Sequence, residues 1–422
     1  MNLMSLSLYR AATRVGYPLI AAYLAVRKAR GKEDLARFGE RMGYASVPRP
    51  AGKLVWLHGA SVGETLSMLP LIDKIRETYP AVNILVTSGT VTSAQLMEKR
   101  LAGKAVHQYV PVDCMAQATR FVDHWKPDLA LWFESEFWPN LLSVISARKI
   151  PLVLLNGRVS DRSLRRWEKM PKFSRQIQNM FVKSFGQTEE DADRLRRIGA
   201  KNTACVGNIK FAAAPLPVDE NELSRLRSQI GGRPCWTAGS THAGEEAQVA
   251  DVHANVKKNV KGLLTVLAPR HPNRADEIEA MLKRSGLVVA RRSRKEDVAP
   301  ETDVYLADTI GEMGLFYRLG AAAFVGGSLV PFGGQNIIEP ARLGKAVLCG
   351  KYMMNFREIA ARAEQAGALT VVEDDGALAD VLTDLLTDKV LLDTKQRDAL
   401  AFATAESNVL ERLMPELAQY FE

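Results

Sequence analysis

One pattern constrains this chain more than any other: short apolar runs alternate with helical stretches, and the alternation occurs twice. The first series of runs is Leu54–Leu57, Ile84–Thr87, Val106–Val110, Leu129–Phe133, Leu152–Asn156, Phe181–Gly186 and Thr203–Val206. The second is Trp236–Ala238, Leu263–Leu267, Leu287–Ala290, Val304–Leu306, Ala322–Val325, Ala346–Leu348 and Leu369–Val372. Runs of this kind, separated by helices, specify parallel sheets covered on both faces. Between the two series lies Phe211-Ala212-Ala213-Ala214-Pro215-Leu216-Pro217, whose small residues and two prolines read as a linker. The sequence therefore predicts an α/β fold of two doubly wound, Rossmann-like domains facing a cleft. Their expected extents are residues 36–211 and 218–422, the latter closing with a helix over Leu391–Phe421. At 422 residues, the chain exceeds the size at which one core keeps growing.

The segment before residue 36 has a different character. Val15 to Val26 is apolar, with Arg10 and Arg14 before it and Lys28, Arg30 and Lys32 after it. It is shorter than the ~20 residues a spanning helix needs. A basic-flanked apolar helix carrying Tyr17 and Tyr23 suits a membrane anchor or an interfacial helix over residues 1–35. The basic flank puts the rest of the chain on the cytoplasmic side. A first helix packed on the globular domain fits the same residues. A net charge of +8 favours an anionic partner. Aromatics are only 7%, and no basic–aromatic interleaving of the single-strand-binding kind is present, which argues against nucleic acid. The four cysteines, at 114, 205, 235 and 349, form no close pair and point away from a zinc site or a disulfide framework.

Chemistry-bearing residues gather where strands end. His58-Gly-Ala-Ser61-Val-Gly-Glu64 follows the first run and opens a helix. Ser61-x-x-Glu64 matches a capping box, and Glu64 is also sited to act as a general base. Phe133-Glu134-Ser-Glu136-Phe-Trp138-Pro-Asn140, Asn156-Gly-Arg158-Val-Ser160 and Gly207-Asn-Ile-Lys210-Phe211 end three further runs of the same half. Glu64, Glu134, Arg158 and Lys210 thus fall at one sheet edge, where open α/β sheets bind ligands. The basic segment from Arg158 to Arg175 is either a solvated helix face or a grip for phosphate and lipid surfaces.

The second half carries loops suited to a phosphorylated ligand. Gly239-Ser240-Thr-His242-Ala-Gly-Glu-Glu246 offers backbone N–H groups at a helix start, or simply a tight connection. Pro269-Arg270-His271-Pro272 supplies a planar guanidinium fork and a second donor between prolines. Asp308-Thr-Ile-Gly311-Glu312-Met313 opens another helix, with capping by Asp308 or Thr309 as the plain alternative. Gly326-Gly327 and Gly333-Gly334-Gln335-Asn336-Ile337-Ile338-Glu339 combine permissive backbone with a carboxylate able to accept ribose hydroxyls.

Taken in order, these motifs resemble the 3-deoxy-D-manno-octulosonic acid (Kdo) transferases, the lipid A core glycosyltransferases, over nearly the whole chain. The resemblance implies a GT-B fold and an inverting transfer of Kdo from CMP-Kdo to a lipid A precursor. That reaction belongs to lipopolysaccharide biosynthesis at the cytoplasmic face of the inner membrane. It implies no cofactor and no metal, since the donor carries one phosphate. By match, Glu64 would accept the proton, and Glu134 and Lys210 would stabilise the transition state. CMP would lie on Pro269, Arg270, Gly311, Glu312, Met313, Asn336, Ile337, Ile338 and Glu339. Ser240, His242 and His271 are further candidate donor contacts, and Glu136 and Arg158 candidate acceptor contacts. Gln335 and Ala212 depart from the family, which commonly has His and Asp there. Rival readings are a GT-B enzyme acting on a UDP-sugar, including an epimerase, and a non-catalytic nucleotide-sugar-binding membrane protein.

Overall fold

The computed structural model describes residues 5–101, 103–134, 136–212 and 214–421. Residues 1–4 of the expected anchor and Ala213 of the expected linker lie outside these. The chain divides into two units, one comprising residues 1–213 and 406–422, the other residues 214–405.

The first unit is built on seven strands: β1 (Leu54–His58), β2 (Asn83–Ser88), β3 (Val106–Tyr109), β4 (Leu129–Phe133), β5 (Leu152–Gly157), β6 (Lys183–Gly186) and β7 (Thr203–Cys205). They form one parallel sheet in the order β3-β2-β1-β4-β5-β6-β7. Side chains of a strand alternate between faces, and here both faces are covered. Leu54 and Trp56 join Phe121, Trp132 and Leu154 on one face, while Val55 and Leu57 join Ile72, Leu131 and Leu155 on the other. This double burial is why the runs read as continuously apolar.

The second unit repeats the plan with β8 (Cys235–Thr241), β9 (Leu264–Pro269), β10 (Val289–Arg291), β11 (Val304–Leu306), β12 (Ala322–Val325), β13 (Ala346–Gly350) and β14 (Leu369–Val372). Its parallel order is β10-β11-β9-β8-β12-β13-β14. Strand order reverses between β1 and β4 in one sheet and between β8 and β12 in the other. Those switch points are where crevices open beyond the strand C-termini.

The expected second domain, 218–422, is corrected at its C-terminal end. The final helical stretch breaks at Asn408 into Lys389–Ser407 and Val409–Ala418. The last helix packs on the first unit, where Val409, Leu413, Met414, Leu417 and Phe421 join the core containing Val55 and Ile72. Polar ties reinforce the return: Lys53 Nζ donates to the Phe421 carbonyl at 2.8 Å and Arg412 Nε to the Val206 carbonyl at 2.9 Å.

The N-terminal apolar segment forms two helices, Leu6–Val15 and Tyr17–Ala29, divided at Gly16 with Pro18 in the first turn of the second. Among the described residues, no helix is long and apolar enough to cross a membrane. Val15, Leu19, Tyr23 and Val26 are 82%, 77%, 61% and 48% exposed. Within the second helix, the spacing of 4 and 3 keeps Leu19, Tyr23 and Val26 on one face, so an apolar stripe is left uncovered there, with Val15 exposed at the end of the first helix. All four cysteines are free thiols.

Candidate functional site

The first cluster lies at the β1/β4 switch point. After β1 the chain turns through Gly59, where a side chain would collide with Met68 Cε at 2.2 Å, and enters the helix Val62–Thr78. Ser61 is its N-cap. The Ser61 hydroxyl accepts from the Glu64 N–H at 3.2 Å and donates to Glu64 Oε1 at 2.8 Å. The other carboxylate oxygen, Oε2, accepts from the Ala60 N–H at 2.7 Å. The capping reading and the carboxylate-at-the-edge reading therefore both hold. The backbone donor is Ala60, one residue earlier than the Ser61 N–H a capping box uses. Glu64 is 7% exposed. Burial pushes its carboxyl above the ordinary range. The Ser61 and Ala60 hydrogen bonds oppose this, and the charges of Glu134 and Glu136 add to it.

Glu134, directly after β4, has a left-handed backbone (φ 57°), uncommon for a residue with a side chain. Its Oε1 lies 2.5 Å from Lys210 Nζ, on the short turn Ile209–Ala212 that follows β7. The structure thus unites Glu64, Glu134 and Lys210 in one electrostatic cluster. Glu136 stands at its rim, with its Oε2 3.4 Å from Trp138 Nε1. Arg158 is exposed at the end of β5, near the structural carboxylate Asp191, whose pKa burial raises against the opposing pull of the Val159 and Thr188 hydrogen bonds and of Arg194 and Arg158. His58 is fully buried against Trp132, with ring centroids 4.1 Å apart, and burial pushes its imidazole down to about 3.

The second cluster sits at the ends of β8, β9, β11 and β12. The Gly326-Gly327 backbone does not face outward for a phosphate. Glu245, fully buried, accepts the N–H groups of Gly327 (2.6 Å), Ser328 (2.9 Å), Leu329 (2.9 Å) and His242 (2.9 Å). An internal carboxylate fills the anion-binding nest the sequence suggested. Gly326 is needed because a Cβ would lie 2.6 Å from the Ser240 carbonyl oxygen. Ser240, with φ 57°, marks an irregularity where β8 meets β9.

Around that nest, His242 stacks on Phe332 (4.5 Å, 18°) and meets His271 edge-on at 5.8 Å. Burial lowers the His242 pKa. Gln335 Nε2 lies 3.3 Å from His242 Nε2. Pro269 ends β9 and Arg270 is exposed beside it. Arg270 is near Glu339, whose carboxyl is raised by burial against the pull of Asn336 and Arg270. Asn336 Oδ1 accepts the Ile338 N–H at 3.0 Å, and its Nδ2 is 3.4 Å from Glu339 Oε1. Ile337 and Ile338 are buried beneath.

The loop before Met313 is held by side chains that the sequence reading missed. Arg292 grips Glu312, with Nη2–Oε1 at 2.6 Å and Nε–Oε2 at 3.1 Å. Asp308 does not cap the helix. It accepts from Arg291 Nε (2.5 Å), the Ser293 N–H (2.8 Å) and the Ser293 hydroxyl (2.6 Å). The Glu312 carboxylate is therefore engaged within the turn that carries Gly311 and Met313. The available signal was an arginine-rich run following an apolar run, which marks a cationic turn at a strand end.

Residues 36–213 match the family model of 3-deoxy-D-manno-octulosonic-acid transferase (kdotransferase). A 3-deoxy-D-manno-octulosonic acid transferase of Rickettsia bellii is 32% identical over 96% of this chain and 97% of its own. One of Haemophilus influenzae is 30% identical over 98% of both chains. The crystal structure of UDP-GlcNAc 2-epimerase from Neisseria meningitidis aligns over 86% of this chain and 100% of its own (TM-score 0.58, 14% identity). A glycosyltransferase from Rickettsia africae aligns over 88% and 99% (TM-score 0.58, 12% identity). At those identities the two structures speak for the GT-B fold alone. Near-full-length identity to the bacterial enzymes carries more: the chain belongs to the 3-deoxy-D-manno-octulosonic acid transferase family.

Proposed function

We propose that this protein transfers Kdo from CMP-Kdo to a lipid A precursor in lipopolysaccharide biosynthesis, by an inverting displacement with Glu64 as general base. The observation that carries the reading is Glu64 itself, a buried carboxylate at the β1/β4 switch point with its pKa raised. A base poised nearer neutrality than an exposed Glu is suited to a sugar hydroxyl. In the step, the acceptor hydroxyl oxygen forms a bond to the anomeric carbon of Kdo, and the bond from that carbon to the CMP phosphate oxygen breaks. The hydroxyl proton passes to Glu64 and CMP departs with the electron pair. Lys210 and Glu134, paired at 2.5 Å, provide a fixed dipole for the charge that develops.

On the second unit, Arg270 beside Pro269 is suited to the phosphate. Glu339, next to Asn336, Ile337 and Ile338, is suited to the ribose hydroxyls, and the backbone of the Gly311-Glu312-Met313 turn to the base. Ser240, His242 and His271 border that same strand-end region. Glu136 and Arg158, at the ends of β4 and β5, are assigned to the acceptor.

The exposed stripe Leu19–Tyr23–Val26 on the second helix, with Val15 exposed just before it, supports a helix lying in a membrane interface. The cations of Asp161–Glu168 and Pro171–Gln178 add an anionic-surface preference. This reading puts the protein on the cytoplasmic face of the inner membrane. The test is Glu64→Gln: transfer is lost while CMP binding is kept, and near-normal turnover in that variant refutes the assignment.

A further inference from the structure

Lys210 stands on a turn after β7, two strands away from β5 in the sheet. A side chain so placed needs something to aim it, and a closed ring of hydrogen bonds does so. The Ile209 N–H donates to Asn156 Oδ1 at 2.9 Å within the core. The Lys210 N–H donates to Asn208 Oδ1 at 3.0 Å. Asn208 Nδ2 donates to Gln187 Oε1 at 3.3 Å, and Gln187 Nε2 donates to the Asn156 carbonyl at 3.2 Å. Asn156 is thus at both ends of the ring that fixes the backbone of residues 209 and 210.

Its other neighbour is Glu134. Phe133 pairs with Leu155 across β4 and β5, and the Glu134 N–H donates to the Leu155 carbonyl at 3.0 Å. A left-handed residue then stands just after β4, Glu134 at φ 57°, and one next to the last position of β5, Asn156 at φ 56°. Glycine takes that conformation freely, so backbone shape alone does not call for a side chain here. The Asn156 side chain is 1% exposed, and its Nδ2 has no hydrogen-bond partner. Buried unsatisfied donors are costly and rare. What the side chain supplies is the Oδ1 acceptor under Ile209.

We propose that Asn156 is a positioning residue that aims Lys210 at Glu134. The proposal rests on the assignment of Lys210 as a stabiliser of developing charge. The test uses the full chain and measures kcat and both KM values for Asn156→Gly, Lys210→Ala and the double variant. The glycine keeps the left-handed backbone and removes only the side chain. Misaiming by about 1 Å is expected to lower kcat about 10- to 100-fold, with the donor KM within about twofold. In the double variant kcat is expected to match that of Lys210→Ala, because Asn156 acts only through Lys210.

Losses that multiply in the double variant overturn the proposal, as does near-normal kcat in Asn156→Gly. Near-normal kcat in Lys210→Ala itself overturns the assignment on which it rests, and is told apart by that single variant. Should Asn156→Gly lower the melting temperature enough to blur the comparison, Gln187→Ala breaks the other arm of the ring at a half-buried residue. It is expected to lower kcat in the wild-type background and not in the Lys210→Ala background. The same loss in both backgrounds overturns the proposal.

Discussion

Ser61 and Glu64 cap each other: the hydroxyl accepts from the Glu64 N–H at 3.2 Å and donates to Glu64 Oε1 at 2.8 Å. The same carboxylate that closes the helix is the one burial pushes upward in pKa. The folded protein therefore holds this proton more tightly than the unfolded chain. Stability from this group is fully present below the ordinary Glu pKa of about 4.3 and is lost as pH rises through the raised value. Glu64→Gln removes that loss. Denaturant unfolding at several pH values should show the variant gaining on the wild type as pH rises from 4 toward neutrality. A variant that falls behind over that window contradicts the assignment.

The Glu134–Lys210 pair makes a kinetic prediction. Both residues belong to the first unit, whereas the loops assigned to CMP belong to the second. Lys210→Ala and Glu134→Gln should each lower kcat by about 10²- to 10³-fold, the scale of losing one preorganised stabilising group. Calorimetric CMP titration should give an affinity within about twofold of wild type. A large loss of CMP affinity with intact kcat would move both residues to donor binding.

Glu245 is a structural keystone of the second unit. Glu245→Ala leaves the N–H groups of His242, Gly327, Ser328 and Leu329 without their acceptor. At about 1–3 kcal/mol for each buried orphan, and with partial relaxation, the loss should reach at least about 3 kcal/mol. Equilibrium unfolding checks this, and a change under about 1 kcal/mol would mean the nest finds another anion.

Arg292 is expected to act on donor affinity. Its hydrogen bonds hold the Glu312 carboxyl below the usual carboxylate range. Arg292→Ala frees the turn carrying Gly311, so the donor KM should rise about tenfold with kcat changed less than about twofold, the signature of lost uniform binding. An unchanged KM would show that the turn keeps its shape unaided.

The exposed stripe gives a localisation test. Replacing Val15, Leu19, Tyr23 and Val26 by Ser, or deleting residues 1–30, should move the protein from the membrane pellet to the soluble fraction. An unchanged distribution removes the interfacial role.

Strands were the most legible part of the chain, because both faces of each sheet are covered and the apolar runs are uninterrupted. Glu64 and Glu134 were legible too, since they follow adjacent parallel strands, β1 and β4, whose ends lie together. Lys210 follows β7, three strands from β4, and only the turn Ile209–Ala212 brings it to Glu134. The docking of Val409–Ala418 on the first unit was not. Its amphipathic pattern says that one face is buried, while nothing local says against which core. The role of Glu245 was hidden for a related reason. Gly326-Gly327 reads equally well as a nest for a ligand phosphate or for an internal carboxylate, and only the fold brings residue 245 to residues 327–329. The grip of Arg292 on Glu312 spans 20 residues with strand β11 between them, a distance that charge patterning within one helix does not report.

The most direct measurement is mass spectrometry of a tetraacylated lipid A precursor after incubation with CMP-Kdo and either the wild-type protein or Glu64→Gln, with CMP binding measured for both. The account predicts acceptor heavier by one or more Kdo residues with the wild type, unchanged acceptor with the variant, and equal CMP affinity. Acceptor left unchanged by a wild-type protein that binds CMP, or extended by Glu64→Gln at the wild-type rate, would contradict it.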